Sequence, residues 1–339
     1  MKPINEKGSF FYNLERIVRR NHQKILLPEG DDPRIVGAAS RLQEQNLMDP
    51  ILLGDEDKIS QVAAKIDADI SNVTIINPVD FEDMDYLVEK FIERRKGKID
   101  EEQARKLLLE NGNYFGTMLV YVGRADGLVS GAAHTTAETV RPALQIIKVK
   151  PRYKRVSGAY MLIKNEQFYI FADCAITIDP TSEELAEIAY QTNETALKYG
   201  LDPKIAMLSF STHGSADHPL VDKVREGYKI AKEKYPDLCI DGELQFDAAF
   251  VPEVAEKKID SSPVAGHANV FIFPDIQAGN IGYKLVQRLG DFEAIGPILQ
   301  GLNAPVNDLS RGCNEEDVYK LCIISAIESI NAKKYQIRF

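Results

Sequence analysis

The sequence predicts a two-domain α/β fold, and three observations carry that prediction. Short apolar runs at 24–28, 51–54, 73–76 and 127–131 alternate with stretches of helical periodicity, the pattern of parallel strands covered by helices. At 339 residues the chain is longer than one typical core. Near residue 152 the β-α rhythm breaks, where apolar segments at 156–163 and 168–178 flank Lys164, Asn165, Glu166 and Gln167 and read as a β-hairpin. The first domain is therefore expected to hold residues 1–152 and 296–339, with residues 153–295 inserted as a second α/β domain. The cleft between them is the expected active site.

Composition narrows the function classes. The 44% hydrophobic and 27% charged residues are ordinary for a soluble globular enzyme. A net charge of -10 and a pI near 5.2 argue against a nucleic-acid partner, which needs a basic face. The first residues lack an apolar leader core and no run is long enough to span a bilayer, so a cytoplasmic protein without membrane contact is expected. Cys174, Cys239, Cys313 and Cys322 are scattered without a Cys-x-x-Cys pair, which indicates neither a zinc knuckle nor a disulfide framework. Cys313 follows Arg311 closely, yet a small buried apolar role outweighs a reactive one there.

Taken in order, residues 24–28 form a strand, and Asp31, Asp32 and Pro33 supply an N-cap and a first-turn proline for a helix to about Gln45. Ile35, Ala39 and Leu42 recur on it at helical spacing. Strands at 51–54 and 73–76 follow. The acidic segment after Asp80 becomes a helix ending in the basic run Arg94, Arg95, Lys96, Gly97, Lys98. That run reads either as a solvated helix end or as a polyphosphate contact. Residues 101–123 are largely helical. A strand at 127–131 then enters the small-residue turn Ala132, Ala133, His134, Thr135, Thr136, ahead of a helix bearing Arg141. Such a turn exposes backbone N–H groups to an anion, with Thr135 and Thr136 as further donors, although either threonine also suits an ordinary N-cap.

In the second domain, Thr181 and Glu184 form a capping box for a helix ending at Gly200. A strand at 206–210 feeds the loop Ser211, Thr212, His213, Gly214, Ser215 and a helix at 221–234. A short strand at 238–240 precedes the loop Asp241, Gly242, Glu243, Leu244, Gln245, and a strand at 270–273 leads to Gly279 and Asn280. Residues 295–299 read as a strand returning to the first sheet, and a last helix buries Val318, Leu321, Cys322 and Ile324. Between these two, residues 301–317 gather Asn307, Asp308, Ser310, Arg311 and Asp317 into one turn-rich segment. A hydroxyl, a guanidinium and a carboxylate so close together at a helix start suit one small anionic substrate.

Five groups of residues stand in this order: Ser130 to His134 with Thr139 to Pro142; Asp241 to Gln245; Ser262 to Gly266; Asn269 to Asp275 with Gly279 and Asn280; and Pro305 to Gly312. Through them the chain from about Lys24 onward resembles the phosphate acetyltransferases, or phosphotransacetylases. The resemblance implies reversible transfer of acetyl between acetyl phosphate and coenzyme A, with inorganic phosphate as the other product. It implies a two-domain, three-layer fold with parallel and mixed sheets, like that of the isocitrate and isopropylmalate dehydrogenases, and a homodimer. No metal or redox cofactor is implied; coenzyme A enters as a substrate. The matching motifs carry Ser310, Arg311 and Asp317 to the catalytic site, Arg141 to an anion contact, and one arginine of the Arg94 and Arg95 pair, taken as Arg95, to the substrate. Ser130, His134, Thr135 and Asn280, in the matching loops, are further candidate substrate contacts. The motifs do not fix acyl length, so a phosphate butyryltransferase is the alternative.

Thioester formation from an acyl phosphate needs a thiolate, a place for charge developing on the carbonyl oxygen, and cations for the leaving phosphate. Asp317 is the expected base for the thiol, in competition with a capping role under Asn314 as N-cap. Arg311, with Arg141 and Arg95, is expected to clamp phosphoryl oxygens. Ser310 is expected to donate a hydrogen bond and not to form an acyl-enzyme, since no histidine stands near it in sequence. A dehydrogenase on the same fold is disfavoured because no Gly-x-Gly-x-x-Gly follows a strand. A non-catalytic anion- or nucleotide-binding protein is disfavoured by the joint presence of Ser310, Arg311 and Asp317.

Overall fold

The computed structural model describes residues 10–336, with side chains described as far as Lys333. Two compact units emerge, Met1–Lys150 with Leu302–Phe339, and Pro151–Gly301. The first opens with α1 (Phe10–Arg20), a helix absent from the sequence-based expectation, whose Phe11, Leu14 and Val18 fall three or four residues apart and are buried. It continues with β1 (Lys24–Leu27), α2 (Pro33–Glu44), β2 (Asp49–Leu53), α3 (Glu56–Lys65) and β3 (Thr74–Ile76). Asp32 is the N-cap of α2, accepting the Arg34 N–H at 2.9 Å, with Pro33 in the first turn.

The region expected to be largely helical contains α5 and α6. After α4 (Met84–Arg95), α5 (Glu101–Glu110) ends at Asn111, which caps α6 (Gly112–Tyr121) by accepting the Tyr114 N–H at 3.1 Å. A Cβ on Gly116 would stand 2.6 Å from Leu26 and 2.9 Å from Leu128, so α6 lies directly on the sheet. β4 (Gly127–Ser130) and α7 (Thr136–Pro142), prolonged by a π turn at Ala143–Ile147, complete this half.

The second unit holds β5 (Ser157–Lys164), β6 (Gln167–Ala172), α8 (Ser182–Lys198), β7 (Ile205–Leu208), α9 (Pro219–Lys234), β8 (Ile240–Leu244), α10 (Phe246–Phe250), α11 (Pro252–Lys258), β9 (Val270–Ile272), α12 (Ile276–Leu289) and β10 (Glu293–Gln300). Its sheet runs β10-β5-β6-β9-β7-β8; the two pairings at the β10 end are antiparallel and the rest parallel. Alternation along the strands makes two cores: Ile205, Met207, Val270 and Ile272 face one way, Ala206, Leu208 and Phe271 the other. That is a three-layer arrangement.

Two expectations are corrected here. The strand expected to return to the first sheet is β10, and it pairs with β5, Glu293 opposite Ile163 through Gln300 opposite Ser157. Its apolar run suits a buried strand in either sheet, and a run alone does not name its partner. The second concerns Asp241 to Leu244, read as a loop but lying in β8. Their acidic side chains tolerate burial because they are paired: Asp241 with His213 Nε2 at 3.1 Å and with the Ser262 hydroxyl, Glu243 with the Ser211 hydroxyl at 3.0 Å and the Gly214 N–H at 2.8 Å.

The chain re-enters the first unit at Leu302 and adds β11 (Val306–Asp308) and α13 (Glu315–Gln336). The sheet there runs β11-β4-β1-β2-β3, every pairing parallel. α13 packs on α1 and α2 and against β1, β4 and β11, burying Val318, Leu321, Cys322 and Ile324.

Candidate active site

β11, β4 and β1 are neighbours in one parallel sheet, so their carboxyl ends and the turns that follow lie along one edge, where such sheets bind ligands. Ser130 and Asp308 are register partners, and the Leu309 N–H donates to the Ser130 carbonyl at 2.6 Å. The turn after β4 is thereby pressed against the turn after β11. Gly131 has φ +117°, and a Cβ there would stand 2.6 Å from the Leu309 carbonyl oxygen, so only glycine fits.

The turn after β1 supplies a residue that sequence reasoning missed. Glu29 is 3% exposed. Its Oε2 accepts the N–H groups of Gly131 at 3.0 Å and Ala132 at 2.9 Å. Its Oε1 accepts the N–H groups of Ala133 at 2.7 Å and His134 at 3.0 Å, and Nδ1 of His134 at 2.7 Å. The turn does bind an anion, but the anion is the chain's own, so these backbone donors are engaged internally. An acidic residue directly after an apolar strand, with no cap assigned to it, was the only local signal. Because a carboxylate only accepts, Nδ1 of His134 carries the hydrogen and Nε2 is the ring's second site. No partner for Nε2 is found among the described residues, and the side chain is 35% exposed.

Arg34, also missed, joins all three turns. Its Nε and Nη2 clasp Asp32 at 2.9 and 2.7 Å, Nη2 donates to the Ala132 carbonyl at 2.7 Å, and Nη1 donates to the carbonyls of Arg311 at 2.9 Å and Cys313 at 3.0 Å. One planar fork thus sets the spacing of the three loops. The same guanidinium holds the Asp32 carboxyl below its ordinary range. Cys313 lies buried, and burial pushes its thiol up to about 11, in keeping with the apolar role.

On this frame Ser310 and Arg311 are exposed. Ser310 Oγ accepts the Gly312 N–H at 3.3 Å, which leaves its own hydrogen for another acceptor. The Arg311 guanidinium has no partner among the described residues. Asp317 makes the capping box anticipated as its structural role: its N–H donates to Asn314 Oδ1 at 3.0 Å and its Oδ2 accepts the Asn314 N–H at 2.9 Å. Oδ1 of Asp317 remains without a partner among the described residues, so the cap occupies one oxygen and leaves the other.

Asp308 sits beneath, 1% exposed, accepting the Thr136 hydroxyl at 2.6 Å; its Oδ1 and the buried Ser130 Oγ lack partners among the described residues. Burial pushes Asp308 up to about 6, against the Thr136 and Thr139 hydroxyls and with help from the charge of Glu29.

The cations form a second group in the same unit. Burial raises the Tyr114 phenol while the positive charges of Arg141 and Arg95 pull it down, so both guanidiniums bear on one ring. Arg94 is part of the scaffold: Nε donates to the Ile146 carbonyl at 2.5 Å, Nη2 to the Ile147 carbonyl at 3.0 Å, and the group stacks 4.7 Å over Tyr121. For Arg95 no hydrogen bond or ion pair is found among the described residues. Burial, then the charges of Arg94, Lys96, Arg95 and Lys98, push the Lys148 ammonium down, which marks a concentrated basic patch. Thr135 is engaged in capping α7, its N–H and hydroxyl both donating to Glu138 Oε2 at 2.7 and 2.8 Å. Asn280 belongs to the second unit, where its amide donates to the Cys174 carbonyl at 3.0 Å and accepts from Lys284 at 2.8 Å.

Residues 9–326 match the family described as phosphate acetyl/butaryl transferase. The chain belongs to that family. It is 56% identical over 323 residues to the phosphate acetyltransferase of Bacillus subtilis (strain 168), covering 95% of this chain and 100% of the relative. A solved phosphotransacetylase from Streptococcus pyogenes is 55% identical with a TM-score of 0.91, covering 98% of this chain and 100% of that one. A candidate 4-hydroxythreonine-4-phosphate dehydrogenase from Salmonella typhimurium, 12% identical, shares the fold alone, with a TM-score of 0.53 over 91% of this chain and 99% of that one. The dehydrogenase-like architecture expected from the sequence is borne out by that likeness. In this family member, Ser310, Arg311, Asp317, Ser130 and His134 share one edge of the first sheet, and the positive charges of Arg95 and Arg141 both act on the Tyr114 phenol.

Proposed function

We propose that this protein is a phosphate acetyltransferase, moving acetyl reversibly between acetyl phosphate and coenzyme A, with inorganic phosphate as the other product. The observation that carries the proposal is the 56% identity across the entire length of a phosphate acetyltransferase. The edge of the first sheet supports the same chemistry. Arg311 and Ser310 ride on a turn that Arg34 already holds, so a cation and a hydroxyl meet the acyl phosphate without reorganising. The free oxygen of Asp317 takes the proton of the coenzyme A thiol, whose ordinary pKa is about 8.5. The thiolate attacks the carbonyl carbon, the carbon–oxygen bond to phosphate breaks, and the phosphate departs against Arg311 and Arg141. Arg95 and the basic patch around Lys148 suit the phosphates of coenzyme A.

Transfer is direct in this scheme, because Ser310 Oγ accepts a backbone N–H and shows no histidine partner among the described residues. Acetylated enzyme appearing before coenzyme A is added would overturn that. The scheme uses no metal or redox cofactor, and a chelator is expected to leave the rate unchanged. A cytoplasmic homodimer completes the proposal; among the described residues no helix is long and apolar enough to cross a membrane, and sedimentation tests the dimer. The central experiment is thioester absorbance on mixing the protein with acetyl phosphate and coenzyme A, beside propionyl and butyryl phosphate and nicotinamide controls. Acetyl phosphate is expected to react fastest. A faster rate with butyryl phosphate, or no thioester at all, would sink the assignment.

A further inference from the structure

We infer that His134 exchanges a proton with the phosphate during acyl transfer, with Glu29 as its positioning residue, an inference that rests on the acetyltransferase reading above. The scheme so far gives the sulfur side of the reaction an acid–base group, Asp317, and the phosphate side only cations. Inorganic phosphate at neutral pH carries a hydrogen that the acyl phosphate dianion lacks, so the phosphate group gives up a proton as it bonds to the thioester carbon and regains one as it departs.

His134 is built for that exchange. Its ring and its backbone are anchored to one buried carboxylate, through Nδ1 at 2.7 Å and N–H at 3.0 Å, and the three preceding N–H groups are fixed by the same side chain. A buried carboxylate that orients Nδ1–H sets the tautomer and steadies the positive ring formed when Nε2 takes a proton. Nε2 has no partner among the described residues, on a side chain 35% exposed. The turn that carries it is coupled to the Arg311 turn through one guanidinium, since Arg34 donates to the carbonyls of both Ala132 and Arg311, at 2.7 and 2.9 Å. Of the other carboxylates, Glu138 accepts from Thr135, Asp308 lies buried beneath and accepts from Thr136, and Asp317 is assigned to the thiol.

The steps balance. In the direction of acetyl phosphate, an unprotonated phosphate oxygen attacks the thioester carbon, the proton of the phosphate group passes to Nε2, the carbon–sulfur bond breaks, and the electron pair leaves on sulfur, which takes a proton from Asp317. In the reverse direction Asp317 receives the thiol proton, and the imidazolium returns its proton to the departing phosphate group as the carbon–oxygen bond breaks. Between turnovers the proton passes between the two groups through solvent.

The test compares the full-length wild type with His134→Ala and His134→Asn, measured in both directions with and without added imidazole. In both variants kcat is expected to fall about 10²-fold while the KM for acetyl phosphate moves less than about threefold. Imidazole is expected to restore about tenfold or more of the rate in His134→Ala and to leave the wild type unchanged. Nitrogen NMR of the wild-type ring is expected to show the hydrogen on Nδ1, and Glu29→Gln to lose that preference. Retained kcat, a loss carried by KM alone, a loss without imidazole rescue, or a wild-type ring with its hydrogen on Nε2 would each overturn the inference. A wild type that makes no thioester overturns the acetyltransferase reading itself, which is a distinguishable result.

Discussion

Asn314 and Asp317 cap one another across the first turn of α13, each accepting the other's backbone N–H, at 3.0 and 2.9 Å. The exchange uses only one of the Asp317 oxygens, so structural and catalytic duties are compatible in one side chain. Asp317→Asn retains an oxygen for the cap and loses the base. Its kcat is expected to fall about 10²-fold or more, with stability altered by less than about 1 kcal/mol. An unchanged rate with a lower melting temperature would leave Asp317 as a cap alone.

Glu29 collects five donors in a buried site. Glu29→Gln turns an acceptor into a donor facing donors, and the expected loss of unfolding free energy is about 3–5 kcal/mol. Urea unfolding measures it. A loss below about 1 kcal/mol would show that the turn holds itself.

The adjacent arginines are expected to separate cleanly. Arg94→Ala removes the donors to the Ile146 and Ile147 carbonyls and should cost about 1–3 kcal/mol of stability. Arg95→Ala should leave the melting temperature close to wild type and raise the KM for coenzyme A about tenfold, through loss of a guanidinium–phosphate contact. The reverse pattern would exchange their roles.

Asp308 sets a pH dependence. Its folded value, about 6, lies above the ordinary 3.8. The folded chain therefore holds this proton more tightly than the unfolded chain, and the contribution of Asp308 to stability falls as pH rises through the window between those two values. Asp308→Asn keeps an acceptor for Thr136 and removes the buried charge. It is expected to be more stable than wild type by up to about 3 kcal/mol above pH ~7, the gap closing toward pH ~4. Urea unfolding at the two pH values checks this, and a variant less stable than wild type at the higher pH would refute it.

Much of the frame was legible because it is written locally. Runs of apolar residues marked β1, β2, β4 and β9, and the Thr181 and Glu184 box marked the start of α8, since strand burial and helix capping depend on neighbours in sequence. The polar segment at 301–317 stands out as a candidate site by its concentration of side-chain types. β10 was misplaced because an apolar run states that a strand is buried and not which sheet buries it. β8 was mistaken for a loop because its acids are paired to distant residues that a local pattern does not reveal.

The sequence alone thus determined the α/β class, the helix caps and the ordered motifs that mark the family, all of which are read along the chain. Tertiary structure alone decided that Glu29 fills the turn at 131–134, that Arg34 joins three loops, and that Arg94 is scaffold while Arg95 is available. The physical reason is common to all three. Each depends on hydrogen bonds between residues far apart in the chain, and such bonds leave no periodicity in the sequence from which to infer them.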